Sequence, residues 1–493
     1  MNDKNRVFSN VIWRFFERCG AQVITFIVTT VLARLLAPEE YGTVSLVVVF
    51  TSVMQVFVDS GMGNALIQKK HADEVDFSTV FYFNAVTSVG LYALMYLAAP
   101  LIAGFYGIPD LISIVRVLSL TLIISGVRNI QQAYVARNLL YKRFFFSTLA
   151  GTLISGIVGI WMAYNGFGVW AMVVRQLLNA AVDAVILWLT VKWRPIWSFS
   201  MGRLKVLFSF GWKILATSLL DTLYSNMRQM IIGKLYTTAD LAFNNKGKQL
   251  PELVVTNVNT AIDGVLLPTM SAEQEDIGRV GAIMRRAIKT SMYFLAPLLI
   301  GLAFVAEPVV RLLLTEKWLC CVPFLRIFCA VYLLYPIQLA NRNAIKAIGR
   351  SDLVLKMEVV NKLIGLLCVL CSMWFGVLAL TFSLLVSSLL GQIIIMVVNH
   401  KMFGYRYRAQ ITDVLPSLLV ATIMGGCVSC ISIFCLGDVL TLALQVILGA
   451  AIYIACSAAL KLEAYTYSMG LLRPYLQKIT RKNNRKAKND ESV

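Results

Sequence analysis

Residues 377–399 read VLALTFSLLVSSLLGQIIIMVVN, a run of 23 residues without a charged side chain. An α-helix rises about 1.5 Å per residue and the hydrocarbon core of a bilayer is about 30 Å thick, so roughly 20 apolar residues cross it. Similar apolar blocks recur along the chain: of 493 residues, 58% are hydrophobic and only 14% are charged. The sequence therefore predicts an all-α, polytopic membrane protein.

About fourteen apolar segments of spanning length are predicted, separated by turns in which Pro or Gly ends a helix. The first segment is too long for the core of a signal peptide and no cleavage site follows it, so we expect it to be retained. The predicted spans lie near residues 12–36, 41–68, 78–104, 111–135, 144–164, 168–191, 206–235, 244–270, 287–306, 319–341, 353–374, 377–399, 413–435 and 439–460.

Lysine and arginine are distributed very unequally between alternate loops. With the N-terminus in the cytoplasm, 29 of them fall in cytoplasmic loops and tails, and only Arg311 and Lys317 fall in the opposite loops. Because cytoplasmic loops carry an excess of basic residues, this predicts that both termini are cytoplasmic. The net charge of +19 is then a property of one membrane face and gives no reason to expect nucleic acid. We expect the basic tail, 463–493, to lie against anionic lipid.

Three stretches recur about 200 residues apart in the same order, which indicates an internal repeat. The pairs are RLLAPEEY at 34–41 with KLYTTADL at 234–241, RVLSL at 116–120 with RIFCA at 326–330, and NGFGVWAM at 165–172 with MWFGVLAL at 373–380. Six predicted spans separate equivalent helices, so both copies share one topology. We predict two pseudo-symmetric six-helix lobes plus two C-terminal helices. The predicted domains are an N-lobe at 1–200, a C-lobe at 201–405, the last two helices at 406–462 and the tail at 463–493.

The ten cysteines lie almost wholly in apolar segments, where free thiols behave as small hydrophobic groups. Two CxxC pairs, Cys368/Cys371 and Cys427/Cys430, lie inside apolar helices without a neighbouring histidine, so we expect no metal there. No Gly-rich nucleotide-binding loop is present in the sequence. The sequence therefore predicts no cofactor.

Charged residues recur at three- and four-residue spacing on several predicted spans, which places each set on one helix face. The basic candidates for substrate binding are Arg14, Arg18, Lys213, Arg228, Lys246 and Lys248. The carboxylates that a coupling proton or sodium ion would use are Asp59, Asp221, Glu252 and Asp263.

The basic stripes favour a water-filled cavity between the lobes. A cation that faces lipid at mid-bilayer costs roughly 2.5–3.5 kcal/mol even on a mild scale, so these side chains are expected to face water or carboxylates. A net positive cavity suits phosphate or diphosphate, which lysine and arginine bind through charge-assisted hydrogen bonds. The alternative is that they pair with the carboxylates, including Glu17, and only hold the lobes together.

The chain resembles the polysaccharide transport flippases, of the O-antigen type, in the multidrug/oligosaccharidyl-lipid/polysaccharide exporter superfamily. The resemblance covers residues 1–460. The stretches that carry it are LARLLAPEEYG at 32–42, VDSGMGNALIQ at 58–68, APLIAGFY at 99–106, GFGVWA at 166–171 and LPTMS at 267–271.

This resemblance implies a two-lobed bundle that alternates between inward-open and outward-open states. Such a protein carries undecaprenyl-diphosphate-linked oligosaccharide from the cytoplasmic to the outer leaflet of a bacterial inner membrane, for O-antigen, capsule or exopolysaccharide synthesis. The implied partners are this lipid-linked glycan, membrane lipids and a coupling proton or sodium ion. Removal of the product outside is the alternative source of energy.

The resemblance also implies which basic residues hold the diphosphate, namely those on the first helices of each lobe. The nearest candidates here are Arg14, Arg18, Lys246 and Lys248. Where relatives often have Tyr-Asn/Ser-Arg-Ala, this chain has NNKG at 244–247. Lysine lacks the fork of arginine, and helix packing is expected to loosen at Gly247.

Two other functions are compatible with a chain of this kind. A multidrug or cation antiporter of the same superfamily would share the lobes but is expected to have an acidic, aromatic cavity. A membrane glycan polymerase or ligase would need a large outer loop to bind an acceptor, and the longest predicted one is only 307–318. The basic stripes and short outer loops favour a non-enzymatic flippase over both.

Overall fold

The computed structural model describes residues 20–431, 437–466 and 469–470, and within them it contains helices and no strand. The helices are α1 (Gly20–Leu35, the described part), α2 (Pro38–Asp59), α3 (Met62–Gln68), α4 (Glu74–Tyr106), α5 (Leu111–Leu118), α6 (Leu120–Arg137), α7 (Tyr141–Tyr164), α8 (Val169–Thr190), α9 (Met201–Leu235), α10 (Thr238–Ala272), α11 (Ile277–Phe304), α12 (Ala306–Leu314), a 3-10 helix (Glu316–Cys321), α13 (Val322–Leu333), α14 (Tyr335–Ala347), α15 (Ser351–Ser372), α16 (Val377–Phe403), α17 (Tyr407–Thr412), α18 (Leu415–Ser429) and α19 (Asp438–Ala459).

Twelve helical segments of the described chain are long and apolar enough to cross a membrane. The two further predicted spans correspond to α1, of which 16 residues are described, and to α15, whose N-terminal part carries Asp352, Lys356, Glu358 and Lys362. The prediction of an all-α, polytopic membrane protein is confirmed. The side of the membrane on which each loop lies stays a prediction.

Three predicted spans contain breaks that the sequence analysis did not predict. The second span divides into α2 and α3 because Ser60 and Gly61 both adopt positive φ, 45° and 66°. Gly61 also approaches α9 closely, since a Cβ there would lie 2.4 Å from the carbonyl oxygen of Gly211. The fourth span divides after Leu118. The tenth span divides after Leu333, where Pro336 follows within three residues and lacks the N–H that helix continuation needs. The first of these breaks ends the helix directly beside Asp59.

Contacts between backbone positions divide the chain into unit 1, Met1–Ala242, and unit 2, Phe243–Val493. Unit 1 contains α9, which packs against α2, α3 and α4. The core of unit 1 is formed by side chains from α3, α4, α6, α8 and α9, among them Met62, Phe77, Ile130 and Leu187. The predicted domain limits at 200, 405 and 462 stay a prediction.

Unit 2 is built around α11, which packs against α13, α14 and α18. One of its core clusters includes Met284, Met292, Ala340 and Tyr405. A second cluster joins α11 to the last two helices through Tyr293, whose carbonyl accepts a 2.8 Å hydrogen bond from the Tyr453 hydroxyl. The last two helices are thus part of the packed core of this unit.

The two copies of the predicted repeat adopt the same local structure. α1 and α9 end at Leu35 and Leu235, and α2 and α10 begin at Pro38 and Thr238. In both turns an acidic side chain accepts a hydrogen bond from the backbone N–H of the residue three positions before it. Glu40 accepts from Ala37 at 2.7 Å, and Asp240 accepts from Thr237 at 3.2 Å. The FGV stretches match as well, because Gly168 and Gly376 both precede a helix with positive φ, 53° and 98°.

Candidate functional site

The predicted substrate-binding residues fall into three groups. Arg14 and Arg18, with Glu17, lie outside the described residues. Lys213 and Arg228 lie on α9 in unit 1, and Lys246 and Lys248 lie on α10 in unit 2.

Lys246 is buried among polar and aromatic side chains, with 7% of its surface exposed. Its ammonium donates to Gln249 Oε1 at 3.3 Å and lies 5.7 Å from the centroid of the fully buried Trp318 ring. An aromatic face within about 6 Å attracts a cation, so the indole stabilises the charge without neutralising it. Asn244 Oδ1 accepts a 2.8 Å hydrogen bond from Thr381, which fixes this turn of α10 against α16. The charge of Lys246 is therefore held at one defined place in the unit.

The α10 backbone at Gly247, beside Lys246, packs closely against α13. A Cβ on Gly247 would lie 2.7 Å from Phe324 Cβ and 2.9 Å from the backbone nitrogen of Leu325. The expectation that glycine loosens packing here is wrong. Because it has no side chain, Gly247 lets the α10 backbone approach α13.

Lys248 lies one residue further along α10 and is partly exposed. Its ammonium is 3.3 Å from Glu252 Oε1, an i,i+4 pair in which both side chains keep more than a third of their surface exposed. Glu252 is also within hydrogen-bonding reach of the Tyr332 hydroxyl from α13. The sequence places Lys248 and Glu252 on one helix face. It did not indicate Tyr332, which lies about 80 positions after Glu252 and on another helix.

Asp263 occupies the far half of α10 and is exposed. Its Oδ1 accepts a 2.6 Å hydrogen bond from Asn343 on α14. It therefore belongs to a different contact from that of Lys246 and Lys248.

The charged residues of α9 differ strongly in burial. Lys213 and Asp221 are exposed, whereas Arg228 keeps only 9% of its surface exposed. Lys213 makes no ion pair with the residues that the structure describes. The stripe along α9 therefore runs from an accessible lysine to a buried arginine.

Asp59 is the last residue of α2 and is held by amides from two helices. Gln55 Nε2 donates to its Oδ1 at 2.9 Å and Asn129 Nδ2 donates to the same oxygen at 2.5 Å. Asn129 lies on α6, and sequence reasoning missed it, although Asn129, Gln131 and Gln132 form an unusual polar group within an apolar span.

Two other charge clusters lie beyond the α9 and α10 stripes. In unit 1 the fully buried Asp76 contacts Lys69 at 2.6 Å and Arg203 at 3.4 Å. Asp73, in the loop before α4, pairs with Arg203 and accepts the backbone N–H of Asp76 at 3.0 Å. The hydrogen bond from the Arg203 guanidinium lowers the pKa of Asp73 to about 2.

The corresponding cluster of unit 2 centres on Asp413. It accepts hydrogen bonds from Arg285 at 2.8 Å and from the Tyr405 hydroxyl at 2.5 Å, and Lys289 lies 3.1 Å from it. Lys289 also contacts Glu463 at 2.5 Å. These charges are locally neutralised, so the clusters link helix ends and are poor candidates for binding an anion.

Fold and charge together define a class: a multi-pass, all-α integral membrane protein with lysines and arginines inside its spans. The family described as "Polysaccharide biosynthesis protein" matches residues 31–323, more than half of the chain. The chain belongs to this family, and the resemblance stated from the sequence is confirmed.

Two curated relatives and one solved structure show how far the similarity extends. The teichuronic acid biosynthesis protein TuaB of Bacillus subtilis is 27% identical over 71% of this chain and 72% of its own length. The lipopolysaccharide biosynthesis protein WzxC of Escherichia coli is 21% identical over 86% of this chain and 89% of its own. The lipid II flippase MurJ, in an inward closed conformation, superposes with a TM-score of 0.75 at 16% identity, over 92% of this chain and 98% of that one. The structural match establishes a shared fold.

Proposed function

We propose that this protein is a flippase that moves a diphosphate-linked lipid oligosaccharide from the cytoplasmic to the outer leaflet for cell-surface polysaccharide synthesis. Membership of the polysaccharide biosynthesis family supports this proposal, as does the similarity to TuaB and WzxC, which are named for teichuronic acid and lipopolysaccharide biosynthesis. The observation that carries it is the pair Lys246 and Lys248 on α10, two cations inside a membrane span.

In this proposal the two lysines bind the diphosphate through different means. Lys248 is accessible and reaches the phosphate oxygens once its contact with Glu252 at 3.3 Å opens. Lys246 stays buried beside Trp318 and adds a fixed positive potential. Lys213 and Arg228 on α9 are further proposed contacts, as are Arg14 and Arg18, and the prenyl chain remains in lipid.

The energy source is proposed to be a proton or sodium gradient. Asp221, Glu252 and Asp263 are the carboxylates that such an ion would use, whereas Asp59, the fourth carboxylate predicted for this role, is proposed to bind a sugar hydroxyl instead. Replacement of sodium and collapse of the proton gradient in flux assays test this, and flux that is indifferent to both would refute it.

We place the protein in a bacterial inner membrane with both termini in the cytoplasm. The distribution of 29 basic residues against two in the loops supports this orientation. A fluorescent protein fused after Val493 should fold and fluoresce, and alkaline phosphatase inserted at the turn 107–110 should be active. The opposite pair of results would refute the orientation.

An enzymatic role is less consistent with the chain. The predicted outer loop, 307–318, is folded into α12 and the 3-10 helix, which leaves little room for an acceptor-binding domain in the described residues. A multidrug antiporter is disfavoured by the basic side chains of α9 and α10, and export of quaternary ammonium dyes would be the observation that favours it.

The test is binding and flux of undecaprenyl diphosphate carrying an oligosaccharide, in detergent and in proteoliposomes. A charge-assisted hydrogen bond contributes about 1.5–3 kcal/mol, so Lys248→Ala should weaken binding by roughly 10-fold or more. Glu252→Gln should strengthen binding because it releases Lys248. Lys401→Ala, an exposed lysine at the end of α16, is the matched control. Equal affinities in all four proteins would refute the diphosphate site.

A further inference from the structure

A cavity of about 480 Å³ lies wholly within unit 1, beside the break between α2 and α3. It is surrounded by side chains of α2, α3, α4, α6, α7 and α9. Its volume is within the range of about 300–1,000 Å³ that small-molecule sites occupy. The polar side chains that line it are Asp59, Asn64, Asn84, Asn129, Gln132, Thr148 and Ser218.

Several of these groups have hydrogen-bonding capacity that the protein does not use. Asn84 is 98% buried, and its Oδ1 accepts from Ser60 at 3.3 Å, but its amide nitrogen donates to no described residue. The Gln132 amide likewise has no partner among the described residues. Both amides that bind Asp59 converge on Oδ1, which leaves Oδ2 without a described donor. Buried polar groups are normally paired, so the open amide of the buried Asn84 indicates a ligand or water in the cavity, which the partly exposed Gln132 and the exposed Asp59 also face.

The chemistry of the lining selects among ligands. None of the described lining side chains is lysine or arginine, so the cavity does not suit a phosphate, which basic groups bind best. Amides, hydroxyls and one carboxylate combine donors and acceptors at short range, as a molecule with several hydroxyl groups requires. The ring of Phe144 and the side chain of Ile214 add apolar surface against which the C–H groups of a sugar can pack.

A metal cation fits the cavity less well. Hard cations take oxygen ligands, but the two groups that contact Asp59 turn amide N–H groups toward it, 2.5 and 2.9 Å from its Oδ1. A cation at that oxygen would displace both amides. The geometry around Asp59 therefore favours a ligand that is itself a hydrogen-bond donor.

We propose that this cavity binds an uncharged sugar of the lipid-linked glycan, and so acts as the glycan-reading subsite of the flippase. Asn84 and Gln132 donate to the sugar, and Asp59 Oδ2 accepts from one of its hydroxyl groups. The assignment rests on the proposed function for its substrate, but it uses residues separate from Lys246 and Lys248.

The test compares two ligands with the purified full-length protein: undecaprenyl diphosphate, and the same lipid carrying one N-acetylhexosamine. Wild type should bind the sugar-bearing lipid more tightly. Gln132→Leu and Asn84→Leu replace the amide by an apolar side chain of comparable size, and each should weaken binding of the sugar-bearing lipid by about 2- to 12-fold, the loss of one neutral hydrogen bond. Neither should change affinity for the sugar-free lipid. Asn165→Ala, an exposed amide at the end of α7, is the matched control.

Each outcome separates this site from the proposed function. Equal affinities of wild type for the two lipids would overturn the sugar site while leaving the diphosphate site standing. Equal weakening of both lipids in the variants, at unchanged thermal unfolding midpoint, would also overturn it. Sodium-dependent binding that Asp59→Asn abolishes and Gln132→Leu leaves intact would assign the cavity to a cation instead. Failure of wild type to bind either lipid would refute the flippase itself.

Discussion

Replacing Gly247 by alanine tests how the lysines of α10 are positioned. A methyl group there would lie 2.7 Å from Phe324 Cβ, 2.9 Å from the Leu325 nitrogen and 3.0 Å from the Cys321 carbonyl oxygen. Two of these atoms are backbone, so the helices must separate. Overpacking of this kind costs typically 1–3 kcal/mol.

Alanine also favours the helix over glycine by up to about 1 kcal/mol, which would partly offset the clash. Gly264→Ala is the control for this gain in helix propensity, because Gly264 lies on the same helix and a Cβ there would have no neighbour within 4 Å. Both substitutions gain the same helix propensity, so the difference between them isolates the packing cost. We expect Gly247→Ala to be less stable than Gly264→Ala by about 1–3 kcal/mol.

The assay is unfolding of the purified protein in detergent, followed by tryptophan fluorescence, together with binding of the diphosphate-linked lipid. Gly247→Ala should lower the unfolding midpoint relative to Gly264→Ala and weaken binding, because Lys246 and Lys248 flank the displaced residue. Equal midpoints for the two variants would refute the close packing of α10 on α13. A lower midpoint with unchanged binding would refute the role of that packing in placing the lysines.

Two further predictions concern charges away from α10. Because pairing with Arg203 lowers the pKa of Asp73 to about 2, the pair stabilises the folded state above pH 4 and loses this effect as the pH falls toward 2. The stability difference between wild type and Asp73→Asn should therefore be constant from about pH 7 to 5 and shrink below pH 4, and a constant difference down to pH 2 would contradict it. Arg128 and Asp183 form a 3.1 Å pair with 22% and 9% of their side chains exposed, so Asp183→Ala should cost about 3 kcal/mol by leaving the arginine unpaired. Adding Arg128→Met should restore part of this loss in the unfolding assay, and additive losses would contradict the pairing.

The sequence predicted the helical architecture because the bilayer imposes a strong and simple constraint, a length of apolar helix. The sequence also predicted the repeat. In the turns at 36–37 and 236–237, both copies use an acidic side chain to accept a backbone N–H at the start of the next helix. The sequence analysis did not predict the break at Ser60 and Gly61, although the stretch DSG at 59–61 is a turn signal. Such a break depends on how closely α9 approaches, which the pattern along one helix does not contain.

The site was predictable only where its partners are close in sequence. Lys248 and Glu252 are four residues apart on one helix, so helical geometry alone brings them together. Asp59 and Asn129 are 70 residues apart, and their contact requires knowing that α2 and α6 are neighbours. The amides of the unit 1 cavity were overlooked for this reason, although their presence in an apolar span was a usable signal.

A carrier that binds an anion inside the membrane has to manage the same cation when the anion has left. An unpaired ammonium in a span is costly, so a lysine that serves only the loaded state would destabilise the empty one. Glu252 resolves this for Lys248, because the 3.3 Å contact supplies a counterion in the absence of substrate. In the proposed mechanism the same carboxylate would compete with the diphosphate and limit its affinity, which would favour release into the outer leaflet. A transport function therefore explains the exposed Lys248–Glu252 pair better than a purely structural role does. A pair that only stabilised the fold would gain no stability from leaving more than one-third of each side chain exposed.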